Sequence, residues 1–302
     1  VFNSNGAPNL PVNQSNAITR TGGETEFNFA MGANYSNKFY IGLGVGVTSL
    51  SYTSNNYFYE AGTASVLSSG TTYVNANYNS TYAQVQTTTG SGINVRLGFI
   101  YKPDPAVRIG GSITSPTAYS ISDDYLESLS TKFTSGITNT YANGPADYQL
   151  TYNFTTPWKV AGGLAFFIGK FGFITGDVEY LDYSTVKLQD ADGYSSYNDN
   201  HDIRTLYRST TNEHIGAEIK IESLYLRGGY GVQGNPLRNY GSTINTISGG
   251  IGYRFMNYYI DATYINAQGS QAIFPYTVST SSPQANVANT NNDVFITLGV
   301  RW

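Results

Sequence analysis

The sequence predicts an all-β chain, a transmembrane antiparallel up-and-down β-barrel. Three observations predict it. Apolar and polar residues alternate along much of the chain, the period of a strand with two unlike faces. Charged residues make up only 12% and aromatic residues reach 15%, where a soluble domain carries about 25% charge. The connectors take turns being short and long, as in outer-membrane barrels with short periplasmic turns and long outer loops.

The alternation marks about eleven strand segments. They lie at 24–36, 39–53, 81–101, 106–120, 146–168, 171–188, 205–220, 222–232, 242–255, 257–268 and 291–302. Many exceed the five or six residues usual in globular sheets. About ten residues suffice for a tilted strand to cross a bilayer, whereas no apolar run of about 18 is present to form a helical span. The tight connectors are "NK" (37–38), "KPDP" (102–105), "GKF" (169–171), "ES" (222–223) and "MN" (256–257). Polar stretches at 54–80, 121–145, 189–204, 233–241 and 269–290 read as long loops. If the last strand runs toward the periplasm, every tight turn falls on that side and residues 1–22 belong to the outer rim. The segment from 146 to 168 is too long for one crossing, and Pro157 marks a bend within it, because proline removes a ladder hydrogen bond.

Single-chain bacterial barrels have an even strand number. Eleven is odd, so an odd number of further strands is expected before Val1. The opening "VFNSNGAPNLPVNQ" lacks the basic start and apolar core of a signal peptide and reads as the interior of a longer protein. Residues 1–302 are then one barrel domain.

The period fixes two faces. Ile93, Val95, Leu97, Phe99 and Tyr101 share one side, as do Trp158, Val160, Leu164, Phe166 and Ile168, and Val294, Ile296, Leu298, Val300 and Trp302. The opposite side collects the lumen-facing candidates Arg96, Arg108, Lys159, Asp177, Glu179, His214, Glu218, Arg227, Arg254, Asp261 and Arg301. A charge on the lipid face costs about 2–4 kcal/mol at the midplane, so charges belong inside. There they either tie strands together in salt-bridge ladders or touch a ligand. Gly98, Gly110, Gly163, Gly229, Gly250, Gly252 and Gly299 share this face and either leave room or let strands bend. Phe39, Tyr40, Tyr101, Phe255, Tyr258, Tyr259 and Trp302 sit near strand ends, where aromatic girdles form. Trp302 is expected at the periplasmic interface.

Chemistry is sparse. No GxSxG, HExxH, P-loop or CxxC occurs, cysteine is absent, and a net charge of −4 with pI near 5.1 argues against nucleic acid. No cofactor and no catalysis are expected. His201 and His214 are the two histidines; His214 is placed beside Glu218 on the lumen side. Asp190, Asp192 and Gly193 begin like a calcium loop, but the twelfth-position Glu of an EF-hand is missing.

Several stretches together resemble the FadL/TodX-type outer-membrane transporter family, in particular its Bacteroidetes branch. They are "NFAMGANYSNKFYIGLGVG", "GSGINVRLGFIYKPDPAVRIGGSITSPTAYSISDDY", "TTPWKVAGGLAFFIGKFGFITGDVEYLDYS", "IGAEIKIESLYLRGGYG" and "TLGVRW". The resemblance covers most of 24–302 and lies in the order of the segments more than in any one of them. It implies a fourteen-stranded barrel in the bacterial outer membrane, its wall in contact with outer-membrane lipid. It implies passive uptake of long-chain fatty acids or other hydrophobic small molecules, with an N-terminal hatch and early strands outside this chain. Some relatives are labelled haem receptors, and others act as accessory barrels that partner other outer-membrane proteins in larger envelope complexes.

Overall fold

The computed structural model describes residues 11–69, 72–133, 141–189, 195–274 and 284–300. The chain is all-β and antiparallel. Its strands are β1 (Asn13–Tyr35), β2 (Phe39–Ser69), β3 (Thr72–Asp104), β4 (Val107–Thr114), β5 (Ala118–Phe133), β6 (Tyr141–Thr155) and β7 (Lys159–Ile168). They continue as β8 (Gly172–Asp182), β9 (Lys187–Leu188), β10 (Ser209–Ile221), β11 (Leu224–Gln233), β12 (Ile244–Phe255), β13 (Tyr258–Ile273) and β14 (Ala285–Val300). All join one 14-stranded sheet.

The eleven expected segments are all present, but three are broken. Pro116 separates β4 from β5, Pro157 separates β6 from β7, and a short 3₁₀ turn at Tyr183–Thr185 separates β8 from β9. Each break keeps its place in the meander: β4 pairs β7 while β5 pairs β6, and β7 pairs β8 while β6 pairs β9. Asp182 shapes the 3₁₀ break, its carboxylate accepting from the Ser184 N–H at 3.1 Å.

Four expected loops are corrected, the last of them 269–290, where 269–273 and 285–290 extend β13 and β14. Residues 54–69 and 72–80 extend β2 and β3, and 121–133 with 141–145 extend β5 and β6. These stretches are polar yet rich in Thr and Tyr, which fit a pleated surface well. Residues 197–206 form helix α1 (Tyr197–Leu206) rather than loop, held by buried Asn200, whose amide exchanges two 2.9 Å hydrogen bonds with the backbone of Leu188. Asp190, Asp192 and Gly193 lie outside the described residues, as do Arg301 and Trp302.

The chain forms two compact units. The first comprises residues 1–26, 48–91 and 120–152. Its buried side chains are few, Ala64, Ala76, Tyr78 and Ile121 with Thr48 and Thr88, and part-buried polar side chains hydrogen-bond around them. The Tyr78 hydroxyl donates to Glu60 at 2.6 Å, and Asp123 accepts from Thr88 at 2.6 Å and from the Gln86 amide at 3.0 Å. Tyr82 and Tyr125 both donate to Glu127.

The second unit comprises residues 27–47, 92–119 and 153–302. Its strands carry an unbroken apolar face. Leu97 opposes Ile113, Ile113 opposes Val160, Phe166 opposes Ile174, Ile219 opposes Leu226, Leu226 opposes Ile251, and Ile260 opposes Leu298. All of these side chains are exposed; Leu164 reaches 60% and Leu298 74%. Within this unit the described apolar side chains buried in the usual sense are only Tyr119 and Leu181. Isolated exposed apolar residues are ordinary, but a contiguous field of this extent marks a surface that meets an apolar medium or partner.

Tight turns join the strands of this unit at one rim. Ser36 and Asn37 both take positive φ, as do Glu222 and Met256, the left-handed twist that two-residue hairpins demand. Each turn is tied to its neighbour: Lys102 N–H to Lys38 O (2.7 Å), Phe167 N–H to Ala106 O (2.7 Å), Lys220 N–H to Phe171 O (2.7 Å) and Arg254 N–H to Ser223 O (2.9 Å).

Candidate functional site

The face opposite the apolar field is polar, and it has two regions. From β10 to β13 it is closed by charge. Glu218 stands directly opposite Arg227 and pairs with it at 2.7 Å. Arg227 also reaches Asp261 at 2.7 Å, and Asp261 accepts from Arg254 at 3.1 Å. Arg227 lies on β11 and Asp261 on β13, so the contact must pass over β12. The residues facing them across the two ladders are Gly250 and Gly252. These glycines form a saddle, and a methyl group at Gly252 would collide with the Asp261 carboxylate. The Arg254 guanidinium is flanked by the Tyr225 and Tyr259 rings at 4.6 and 4.7 Å, a cation–π arrangement worth about 0.5–1 kcal/mol per ring when exposed.

Further along the face, Lys159 pairs with Glu179 at 3.3 Å, and Glu179 also accepts from Asn212 at 2.9 Å. His214 pairs with Asp177 at 2.9 Å. Glu218, four residues along the same strand on the same face, is committed to Arg227 instead. Arg96 donates to Asn28 at 2.9 Å. Arg108 stacks its guanidinium 4.1 Å from the Phe167 ring. His201 sits exposed in α1.

The second region runs from β2 to β8 and is open. A hollow of about 500 Å³ lies there. Tyr40, Ile100, Ser112 and Asp177 wall it, over a floor that includes Gly42, Gly98, Gly110 and Gly163. Its surface is largely apolar although it opens among polar residues. The glycines thus play two parts that the sequence left undivided. Gly98 and Gly110 leave room, whereas Gly299 is covered by the Tyr259 ring, an aromatic filling the gap left by a cross-strand glycine.

The aromatic belt is corrected in two places. Phe39, Tyr101, Phe255 and Tyr258 lie exposed on the apolar face. Tyr40 instead turns to the polar side, where its hydroxyl accepts from Lys102 at 2.9 Å, and Tyr259 covers Gly299 and Arg254. Tyr225 and Phe167 were missed as partners of the cationic side chains. Their signal was present: each is an aromatic at a polar-face position, two or three residues from a charge.

No protein-family model matches the chain, and no curated protein matches it. Three solved structures are similar over most of the chain. The Pseudomonas putida toluene transporter TodX is 12% identical, with 95% of this chain and 88% of that one covered at a TM-score of 0.47. The CymD monoaromatic hydrocarbon channel is 14% identical, with 85% and 82% covered at 0.44. The Ralstonia pickettii toluene transporter TbuX is 13% identical, with 96% and 87% covered at 0.42.

Proposed function

We propose that this chain forms the wall of a bacterial outer-membrane β-barrel that takes up hydrophobic small molecules passively, without catalysis. The observation that carries the proposal is the two-faced sheet of the second unit. An apolar face meets lipid, and the polar face becomes a lumen lined by Arg96, Arg108, Lys159, Asp177, Glu179, His214, Glu218, Arg227, Arg254 and Asp261. An open, largely apolar hollow of about 500 Å³ falls in the size range of small-molecule sites, about 300–1,000 Å³. Residues 1–302 form one barrel domain in this reading, with 1–22 on its outer rim. Among the described residues, β1 pairs only β2 and β14 pairs only β13. The family resemblance supplies long-chain fatty acids as a substrate class.

A second reading, an accessory barrel within an envelope complex, is favoured by the ion-paired stretch from Glu218 to Arg254, which closes part of the face to apolar cargo. Mass spectrometry of lipids and small molecules carried by the purified full-length protein separates the two. Uptake predicts a recovered hydrophobic ligand, lost when Gly98→Leu and Gly110→Leu fill the hollow. Both glycines have only ordinary contacts where a Cβ would stand, so the backbone there accepts a side chain, and an unchanged far-ultraviolet circular dichroism spectrum checks that each variant folds. A protein that carries no hydrophobic ligand, or one whose load is unchanged by both substitutions, removes the uptake reading.

A further inference from the structure

The tight-turn rim is cationic out of proportion to the chain. Lys38, Lys102, Arg108, Lys170, Lys220 and Arg254 all lie within three residues of a tight turn, against only Asp104 and Glu222. The whole chain has a net charge of −4. The hydrogen bonds that tie turn to turn, from Lys38 O through Arg254 N–H, place these cations along one continuous edge.

Most are not neutralised. Among the described residues, no carboxylate forms an ion pair with Lys38, Lys102, Arg108, Lys170 or Lys220. Three rest on aromatic rings instead: Lys102 at 4.3 Å from Tyr40, Arg108 at 4.1 Å from Phe167 and Lys220 at 5.5 Å from Tyr225. Asp104 spends one oxygen on the Ala106 N–H at 2.8 Å. A cation held on a ring keeps its outer side open to an anion, and several such cations raise the local potential for one.

We propose that this rim is a docking site for an extended acidic peptide segment of a partner protein. Three arguments select that occupant. Lys102, Arg108, Lys220 and Arg254 alternate onto the polar face, away from the face that meets lipid, so they address the water-filled mouth rather than headgroups. Successive hairpins lie about 10 Å apart, two strand spacings, so one phosphate or carboxylate reaches one cation only. An extended peptide of polyproline II form has three residues per turn and advances about 3.1 Å per residue, so a carboxylate at every third residue returns to the same side about 9 Å on and meets successive cations. The proposal rests on the barrel reading above, because that reading makes the rim a mouth.

The test uses the full chain in zwitterionic detergent micelles and in phosphatidylcholine nanodiscs, with fluorescein-labelled deca-glutamate as the probe and deca-glutamine as its neutral control. Fluorescence anisotropy is expected to show saturable binding of deca-glutamate that weakens with salt, and none of deca-glutamine. The combined Lys102→Gln, Arg108→Gln, Lys220→Gln variant is expected to weaken binding about tenfold. The turn variant Lys38→Gln, Lys170→Gln leaves the strands untouched and is expected to weaken it as well, which keeps the proposal testable if the triple variant folds poorly. Equal binding of the two peptides, no binding to the unmodified chain, or variants that bind unchanged overturns it. So does binding of phosphatidylglycerol, added to the detergent micelles as a second probe, that the variants lose while they keep the peptide, which would make the rim a headgroup site. If the chain does not insert into nanodiscs but binds the acidic peptide in detergent, the barrel reading fails and the docking surface stands.

Discussion

Gly252 shows how much one missing side chain can organise. Arg227 and Asp261 sit two strands apart and meet only because β12 presents glycine between them. Gly252→Ala is expected to push Asp261 aside and cost about 1–3 kcal/mol, the range for a disrupted, partly buried charged hydrogen bond. Gly228 and Gly249 oppose each other and have nothing within 4 Å of a would-be Cβ. Alanine at either is expected to stay within about 0.5 kcal/mol. Urea titration of the three variants in lipid vesicles makes the comparison. In the first unit, Glu127 is a carboxylate whose pKa is lowered, chiefly by the hydrogen bond from Tyr82, then by Gln84 and Tyr125. A depressed carboxylate contributes stability above its unfolded pKa, about 4.3, and loses it as pH falls through the folded value. Asp124 acts in the opposite sense, its pKa raised by burial and then by Asp147. Hydrogen exchange of β5 is therefore expected to speed up below about pH 4 relative to a Glu127→Gln variant, in which that component of the pH response is gone. Equal profiles for the two proteins would remove Glu127 as the source. The Tyr78 hydroxyl, pushed up to about 12 by burial and by Glu60, stays a donor throughout this range.

At the scale of the element, β8 carries the contrast between faces in adjacent residues. Ile174 is exposed on the apolar side, and Thr175 faces Ala165 and Gly216 on the polar side. Ile174→Arg is expected to cost about 2–4 kcal/mol in a bilayer, and Thr175→Arg far less. Equal costs in vesicle unfolding would mean that the apolar face does not meet lipid. The strands of the second unit were legible because their two faces differ so sharply. In "GINVRLGFIY" every odd residue is apolar, so the period is plain. The hairpin extensions were not legible. Between 54 and 80 both faces are polar, so alternation vanishes although the backbone still pairs. The breaks at Pro116 and Pro157 keep the meander because each half-strand finds the matching half of its neighbour. Helix α1 was hidden by its composition, since Asn and Asp favour turns and caps over helix interiors. Asn200, bonded to the backbone of Leu188, and Arg238, whose N–H donates to Leu206 O at 2.9 Å, show why that helix docks. Of the site, the charges were readable as a face, but their pairing was not: His214 took Asp177, and Arg227 took two carboxylates. Pairing depends on register between strands, which a one-dimensional period does not contain.

At the scale of the whole molecule, the decisive question is which medium the apolar face meets, and tryptophan can report it. The chain has only two, Trp158 and Trp302. Trp158 is 54% exposed, next to Lys159 at the start of β7, whose other end runs to the tight turn at 169–171. With Trp302→Phe, Trp158 is the single fluorophore. A lipid-facing wall predicts strong quenching by phospholipid brominated near the headgroup and weaker quenching by bromine near the chain end. Moving the probe tests the face as well as the depth. Leu298 and Thr297 are neighbours on β14 that pair with Ile260 and Asp261, one on the apolar side and one on the polar. In a Trp158→Phe, Trp302→Phe background, Leu298→Trp is expected to be quenched by brominated chains. Thr297→Trp is expected to be shielded from them and quenched by aqueous iodide instead. The two positions differ by one residue, so fold, expression and micelle content are matched, and only sidedness separates them. Equal quenching of both by lipid would mean that neither face is a lumen, and the uptake reading would fall with it. Iodide quenching of both would place the apolar field in water or against a protein partner, the outcome that favours the accessory-subunit reading.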